Sequence, residues 1–100
     1  MSGYQLLRRA RADLLDIAYY TSERWNEQQA ERYITDLYAA FRQLVERPEL
    51  RRSYAPLPPY FRALAGSHAI FYRVTDEELL IVRVLHAAML PELHLDEPNE

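Results

Sequence analysis

Apolar residues recur along this chain with two different spacings, and the change between them divides it into its elements. From Ala10 the apolar positions fall every three or four residues: Ala10, Leu14, Ile17, Thr21 and Trp25 line one face of a helix. Asp13, Asp16, Glu23 and Arg24 lie off that stripe and are expected to be solvated, while Trp25 is expected to anchor the bend that follows. Asn26 interrupts, with Gln29 three residues on, a pair that suits the N-cap of a second helix. That helix carries Ala30, Tyr33, Ile34, Leu37, Phe41, Leu44 and Val45 on one stripe and ends at Pro48. Two amphipathic helices with almost no linker make an αα-hairpin.

Beyond Pro58-Pro59 the spacing changes. Ala69–Val74 and Leu79–Leu85 are near-continuous runs of β-branched, aromatic and aliphatic residues, as strands covered on both faces require. Gly66-Ser67 predicts a two-residue hairpin turn before the first run, and Thr75–Glu78 a polar turn before the second. Tyr4–Arg8 can form one more short strand. Residues 49–59 hold three prolines without helical period and read as a loop, with Pro58-Pro59 expected to keep the entry to the next strand stiff and extended. Residues 89–100 read as a tail, a short helical turn and then fraying. The predicted fold is α+β: an N-terminal strand, the αα-hairpin, then a three-stranded antiparallel meander, in one domain spanning 1–100.

The hairpin turn fixes a register. If Gly66-Ser67 turn the chain, Ala65 pairs with His68 and Arg62 lies opposite Phe71, so Arg62, Phe71 and Arg73 share a face. Arg83 joins them if Arg73 pairs with Leu79 or Ile81, and leaves them if it pairs with Leu80. One helical hairpin covers one sheet face. The other is therefore expected to stay open, with Phe71 and Ile81 among the arginines, and such a face needs a partner.

Composition narrows the chemistry. One hundred residues, 49% of them hydrophobic, suit a single folded core, and a net charge of −3 gives no global pull towards nucleic acid. All twelve basic residues are arginine, which a GC-rich genome explains as well as anion binding does. Without cysteine there is no thiol or disulfide chemistry. No apolar run approaches the ~20 residues of a membrane helix, and Arg8, Arg9 and Arg11 interrupt any signal-peptide core. A cytoplasmic protein is expected. His68, His86 and His94 are dispersed, without acidic companions at ligand spacing, so neither metal nor cofactor is expected. His68 reads as structural and His94 as a surface residue.

One constellation has catalytic possibilities. Arg62, Arg73 and Arg83 could stabilise charge on a scissile phosphate, with His86 as general acid or base of a metal-free RNase. A second proton-transfer group is missing, because Tyr72 would face the helices. The plainer and stronger reading has these arginines meeting carboxylates of a binding partner or of the acidic tail.

The chain resembles the ParE toxins of the RelE/ParE superfamily. The resemblance is carried by Ala12-Asp13-Leu14 with Ile17 and Tyr20, Glu23-Arg24-Trp25, Gln29-Ala30, Tyr33, Leu44 and Pro48. It continues through Gly66-Ser67-His68, Ile70-Phe71-Tyr72-Arg73, Arg83-Val84-Leu85-His86 and Met89. It implies a toxin of a type II toxin–antitoxin system, non-enzymatic, inhibiting DNA gyrase when free. It also implies neutralisation by a ParD-like antitoxin, a ribbon-helix-helix protein with an acidic amphipathic C-terminal segment. Arg62, Phe71, Arg73, Ile81, Arg83, His86 and Met89 would meet antitoxin or target. The alternative is a RelE-like ribosome-dependent mRNA endoribonuclease, whose lysines this chain lacks. The chain departs from the family pattern at Arg51, where glycine is common, at Leu90, and at Leu93-His94-Leu95.

Overall fold

The computed structural model describes residues 3–95. Strand β1 (Gly3–Leu6) leads into helix α1 (Arg8–Arg24), which turns at once into α2 (Glu27–Glu46). Strands β2 (Phe61–Ala65), β3 (His68–Val74) and β4 (Glu78–His86) follow, with 3-10 turns at Pro48–Leu50 and Pro91–Leu93. The sheet order is β1-β4-β3-β2, with β1 parallel to β4 and both other pairs antiparallel. The element order is the one expected. The sequence does not indicate where β1 joins; it lies at the edge beside the last strand. The parallel pairing follows from the helical hairpin, which carries the chain back before the meander begins.

The helices form where the periodicity places them, and α1 starts two residues earlier than expected. Ala10, Leu14 and Ile17 are buried along α1, and Ala30, Leu37, Phe41, Leu44 and Val45 along α2. Asn26 caps α2, its side-chain oxygen accepting from the Gln29 N–H at 2.7 Å. At the other end Arg51 donates from Nε to the Leu44 carbonyl and from Nη2 to that of Val45, satisfying carbonyls that a helix end leaves free. Trp25 is not an anchor. It is the C-cap of α1 with φ −118° and ψ −83°, so its side chain leaves the buried stripe and is 66% exposed.

At the β2–β3 turn Ala65 pairs with His68, and Gly66 has φ +58°. A Cβ on Gly66 would stand 2.6 Å from the Tyr33 hydroxyl, so two requirements fall on glycine at this point. Between β3 and β4 the register shifts. Phe71 faces Arg83 while Tyr72 faces Ile81, leaving Val82 as the extra residue of a β-bulge.

The helices cover one face of the sheet. Ile70, Tyr72, Leu79, Ile81 and Val84 meet Leu14, Ile17, Leu37 and Phe41 there. Ile81 therefore belongs to the helix-side core, not to the face of Phe71, because it pairs with Tyr72 and not with Arg73. The second face is not open either. Pro58-Pro59 lies in a turn and does not run extended; the Tyr54 N–H donates to the Tyr60 carbonyl, and the loop lays Tyr54 and Leu57 over the sheet. Leu95 returns from the C-terminal segment to the same surface. Beneath them Phe71 is 1% exposed and Val82 and Leu85 are buried. Burying such side chains contributes roughly 1.5–3 kcal/mol each, and a 100-residue domain has few others to spare. The part of the expected tail from residue 96 lies outside the described residues.

Candidate functional site

The arginines of the sheet share a face but do not form an anion-binding surface. Arg62 lies opposite Phe71, which lies opposite Arg83, and Arg73 alternates with Phe71 along β3. Arg73 does pair with Leu80, the register expected to remove Arg83, and the bulge at Val82 restores it. The guanidinium groups are spent within the molecule. Arg62 stacks over the Tyr54 ring, 4.8 Å from its centroid. Arg83 makes a two-pronged pair with Asp13 of α1, Nε to Oδ2 at 2.8 Å and Nη2 to Oδ1 at 2.9 Å. Its third nitrogen donates to the His94 carbonyl at 2.8 Å.

Asp13, expected to be solvated, is half-buried and does more than pair with a cation. Oδ2 also accepts from the Val84 N–H at 2.9 Å. Strand β1 ends beside Ile81, so the edge of β4 beyond it has no strand partner, and the α1 carboxylate takes that place. One residue thus ties α1, β4 and, through Arg83, the C-terminal segment. Nothing in a local pattern reveals this contact, because its partners lie 70 and 71 positions away.

Next to this clamp is a cavity of about 380 Å³, lined by Ile17 and Val84 and by Tyr20, Met89 and the three histidines. Dispersed in sequence, His68, His86 and His94 meet here. His68 and His86 are directly paired across β3 and β4, with ring centroids 5.6 Å apart. The His86 Nδ1 accepts from the Ala88 N–H at 3.1 Å, so in the neutral ring the proton is on Nε2. The Tyr33 hydroxyl accepts from the Ser67 N–H at 2.9 Å and lies 2.7 Å from His68 Nδ1, against 3.4 Å from the Ala65 carbonyl. With the Tyr33 proton directed to the nearer His68 Nδ1, the neutral His68 ring carries its own on Nε2; with it directed to the Ala65 carbonyl, His68 donates from Nδ1. Burial pushes the His68 pKa down; the neighbouring His86 pushes the same way and Asp13 opposes. Among the described residues no three ligating side chains converge as a metal site.

The large apolar residues left exposed lie on the helices and beyond β4, with Leu64 on the edge strand β2 and Leu50 after α2 besides. Leu15 and Tyr19, one turn apart on α1, are 72% and 68% exposed. Beside them a groove of about 300 Å³ runs between the helices, lined by Leu14, Leu15, Ala18, Ile34 and Tyr38. Round the end of α1, Tyr20, Trp25 and Met89 carry the apolar surface on to the histidine cavity. Of the residues expected to bind a partner, Arg62, His86 and Met89 are exposed, and Phe71 and Ile81 are buried. The exposed stripe has a signal in the sequence: Leu15 and Tyr19 are apolar one position after Leu14 and two after Ile17, beyond what one buried stripe uses.

Residues 4–91 match the sequence model of the ParE toxin of type II toxin-antitoxin system, parDE. The chain is 41% identical over 96 residues to Toxin ParE1 of Caulobacter vibrioides, spanning 95% of this chain and 99% of that one. It is also 41% identical over 90 residues to Toxin ParE1 of Mycobacterium tuberculosis, covering 88% and 92% of the two. Its backbone is similar to a chain of the chromosomal ParDE TA system from P. aeruginosa, with a TM-score of 0.76. That likeness, at 18% identity over 86% of this chain and 96% of the other, is one of fold.

Proposed function

The chain belongs to the ParE toxin family of type II toxin–antitoxin systems, and from that premise we propose that it acts by binding and not by catalysis. A ParD-like antitoxin neutralises it, and the free chain inhibits DNA gyrase in the cytoplasm. The observation that carries this reading is the distribution of apolar surface. Except at Leu64 and Arg62 of the edge strand β2, both sheet faces are covered from within the chain, while the helical hairpin keeps Leu15, Tyr19 and the groove beside Tyr38 uncovered. A groove of that form suits the apolar face of an amphipathic segment.

The binding surface is accordingly the outer side of α1 and α2, continued through Tyr20 and Trp25 to His86 and Met89. Arg62 borders a separate groove on β2. The commitment of Arg83 to Asp13 supports the non-enzymatic reading, because an RNase site would need that guanidinium for phosphate. No helix among the described residues is long and apolar enough to cross a membrane.

A supercoiling assay with purified gyrase tests the proposal. The chain is expected to inhibit, and the antitoxin encoded beside it to relieve the inhibition in stoichiometric amount. Absence of inhibition at excess chain, together with mRNA cleavage on ribosomes that His86→Ala abolishes, would reverse the reading.

A further inference from the structure

The histidine cavity contains a feature that a merely apolar docking surface does not need. His68 and His86 are adjacent on paired strands, and each has Nδ1 occupied by an internal hydrogen bond. With Tyr33 donating to His68, the neutral rings present two Nε2–H donors, and none of the described hydrogen bonds satisfies either. The rings stand edge to face, 5.6 Å between centroids, in a cavity whose apolar lining includes Ile17 and Val84, an arrangement that suits an oxygen acceptor attached to an otherwise apolar segment.

The two rings differ in what a second proton would do. On His86 it would sit on Nδ1 and face the Ala88 N–H, donor against donor. On His68 it would point at the Tyr33 oxygen, and the Tyr33 proton can turn to the Ala65 carbonyl instead. The Tyr33 hydroxyl is thus a reversible partner, and His68 can be charged without losing its hydrogen bond. Burial and the neighbouring ring oppose that charge. An incoming carboxylate would supply the counter-charge.

We propose that the paired Nε2–H groups of His68 and His86 receive an Asp or Glu carboxylate of the neutralising antitoxin, and that His68 takes up one proton from solvent as it docks. The proposal rests on the reading of the chain as a toxin neutralised by direct binding. It adds the chemistry of one contact and its dependence on pH.

The surrounding charges are consistent with an anion, with one exception. From α1, Asp13 is neutralised by Arg83 of β4, and Arg24 stands at the adjoining cavity that His68 and His86 also line. Tyr20 from α1, Tyr33 from α2 and His94 from the C-terminal segment complete the ionisable groups around the pair. Asp16 is the exception, a carboxylate on the α1 wall that disfavours an anionic guest. It provides a test of sign. Asp16→Asn should tighten binding of a carboxylate and weaken binding of a cationic side chain.

Calorimetry of the full chain with the antitoxin, in two buffers of different ionisation enthalpy, counts the protons exchanged. Wild type is expected to take up close to one proton per complex near neutral pH, and its affinity therefore to rise by tens of fold, towards a hundredfold, between about pH 8 and about pH 6. His68→Gln keeps a donor near Nε2 but cannot be charged, so proton uptake and the pH dependence should both vanish. His86→Gln should leave the uptake in place, and Asp16→Asn should strengthen binding. Equal proton counts for wild type and His68→Gln would overturn the proposal, as would weaker binding by Asp16→Asn. If the antitoxin fails to bind wild type at any pH, the neutralisation reading itself fails. The notch is tested apart from it by following the imidazole Cε1–H resonances with blocked N-acetylglutamate. Saturable shifts of both rings with a raised His68 midpoint are expected, and their absence overturns the notch whatever the antitoxin does.

Discussion

Asp13 shows how much of this molecule depends on single side chains. Its carboxylate accepts three hydrogen bonds, two from Arg83 and one from the Val84 backbone, and both members of the ion pair are largely buried. Removing one member leaves a charge without compensation and a strand N–H without an acceptor. Asp13→Ala, which loses the pair and the strand acceptor together, is expected to cost about 4 kcal/mol, and Arg83→Met about 1 kcal/mol less because it leaves the Asp13–Val84 bond in place. Urea denaturation of the two variants checks that order. His68 gives a second expectation at this scale. Its pKa is lowered in the folded state, so between the folded and the unfolded values the unfolded chain binds more protons. Its contribution is complete above about pH 6.5, the unfolded value, and is lost as pH falls through the window below. Unfolding midpoints should therefore fall more steeply with acidification for wild type than for His68→Gln.

Among the elements, what was legible in the sequence followed from local rules. Gly66-Ser67 fixes the β2–β3 register, and Asn26 starts α2, because turn and cap chemistry act over two or three residues. Asn26→Ala is expected to destabilise by about 1 kcal/mol, read from the thermal midpoint, with Asn26→Asp restoring most of it. The bulge at Val82 was not legible. It lies inside the unbroken apolar run Leu79–Val82, where no polar residue marks which side chain faces which way, so alternation cannot reveal an inserted residue. That single residue accounts for two differences at once: Ile81 turns to the helices while Arg83 stays opposite Phe71. The Asp13 clamp was hidden for another reason, since it joins residues that only the finished fold brings together. Arg51 belongs with these. It stands where the family commonly has glycine, and here it closes the end of α2.

At the scale of the whole molecule, the decisive fact is which apolar surface the chain covers by itself. Reasoning from one hairpin and one sheet leaves the second sheet face bare, but it overlooks that a proline-rich loop and a C-terminal segment can supply Tyr54, Leu57 and Leu95. With that face closed except at Leu64 of β2, most of the uncovered apolar surface lies on the outside of the helices and beyond β4. Leu15 and Tyr19 gain nothing in the free chain from being apolar, since both project into water. Their contribution must come from a partner if it comes at all. Leu15→Glu and Tyr19→Glu are thus expected to leave the unfolding midpoint nearly unchanged, because exposed substitutions rarely move stability by more than ~0.5 kcal/mol. They should weaken antitoxin binding at least tenfold, as loss of a central apolar anchor commonly costs more than about 1.4 kcal/mol. Surface plasmon resonance against the antitoxin, with the gyrase assay alongside, separates the possible outcomes. Loss of antitoxin binding with gyrase inhibition intact would give a toxin that can no longer be restrained, and would assign the helical face to the antitoxin alone. Loss of both would mean that antitoxin and target compete for one surface, so that neutralisation works by occupying the site the target needs. Retention of both would remove the helical face from the proposal and leave the cavity of Tyr20, His86 and Met89 as the surface that binds.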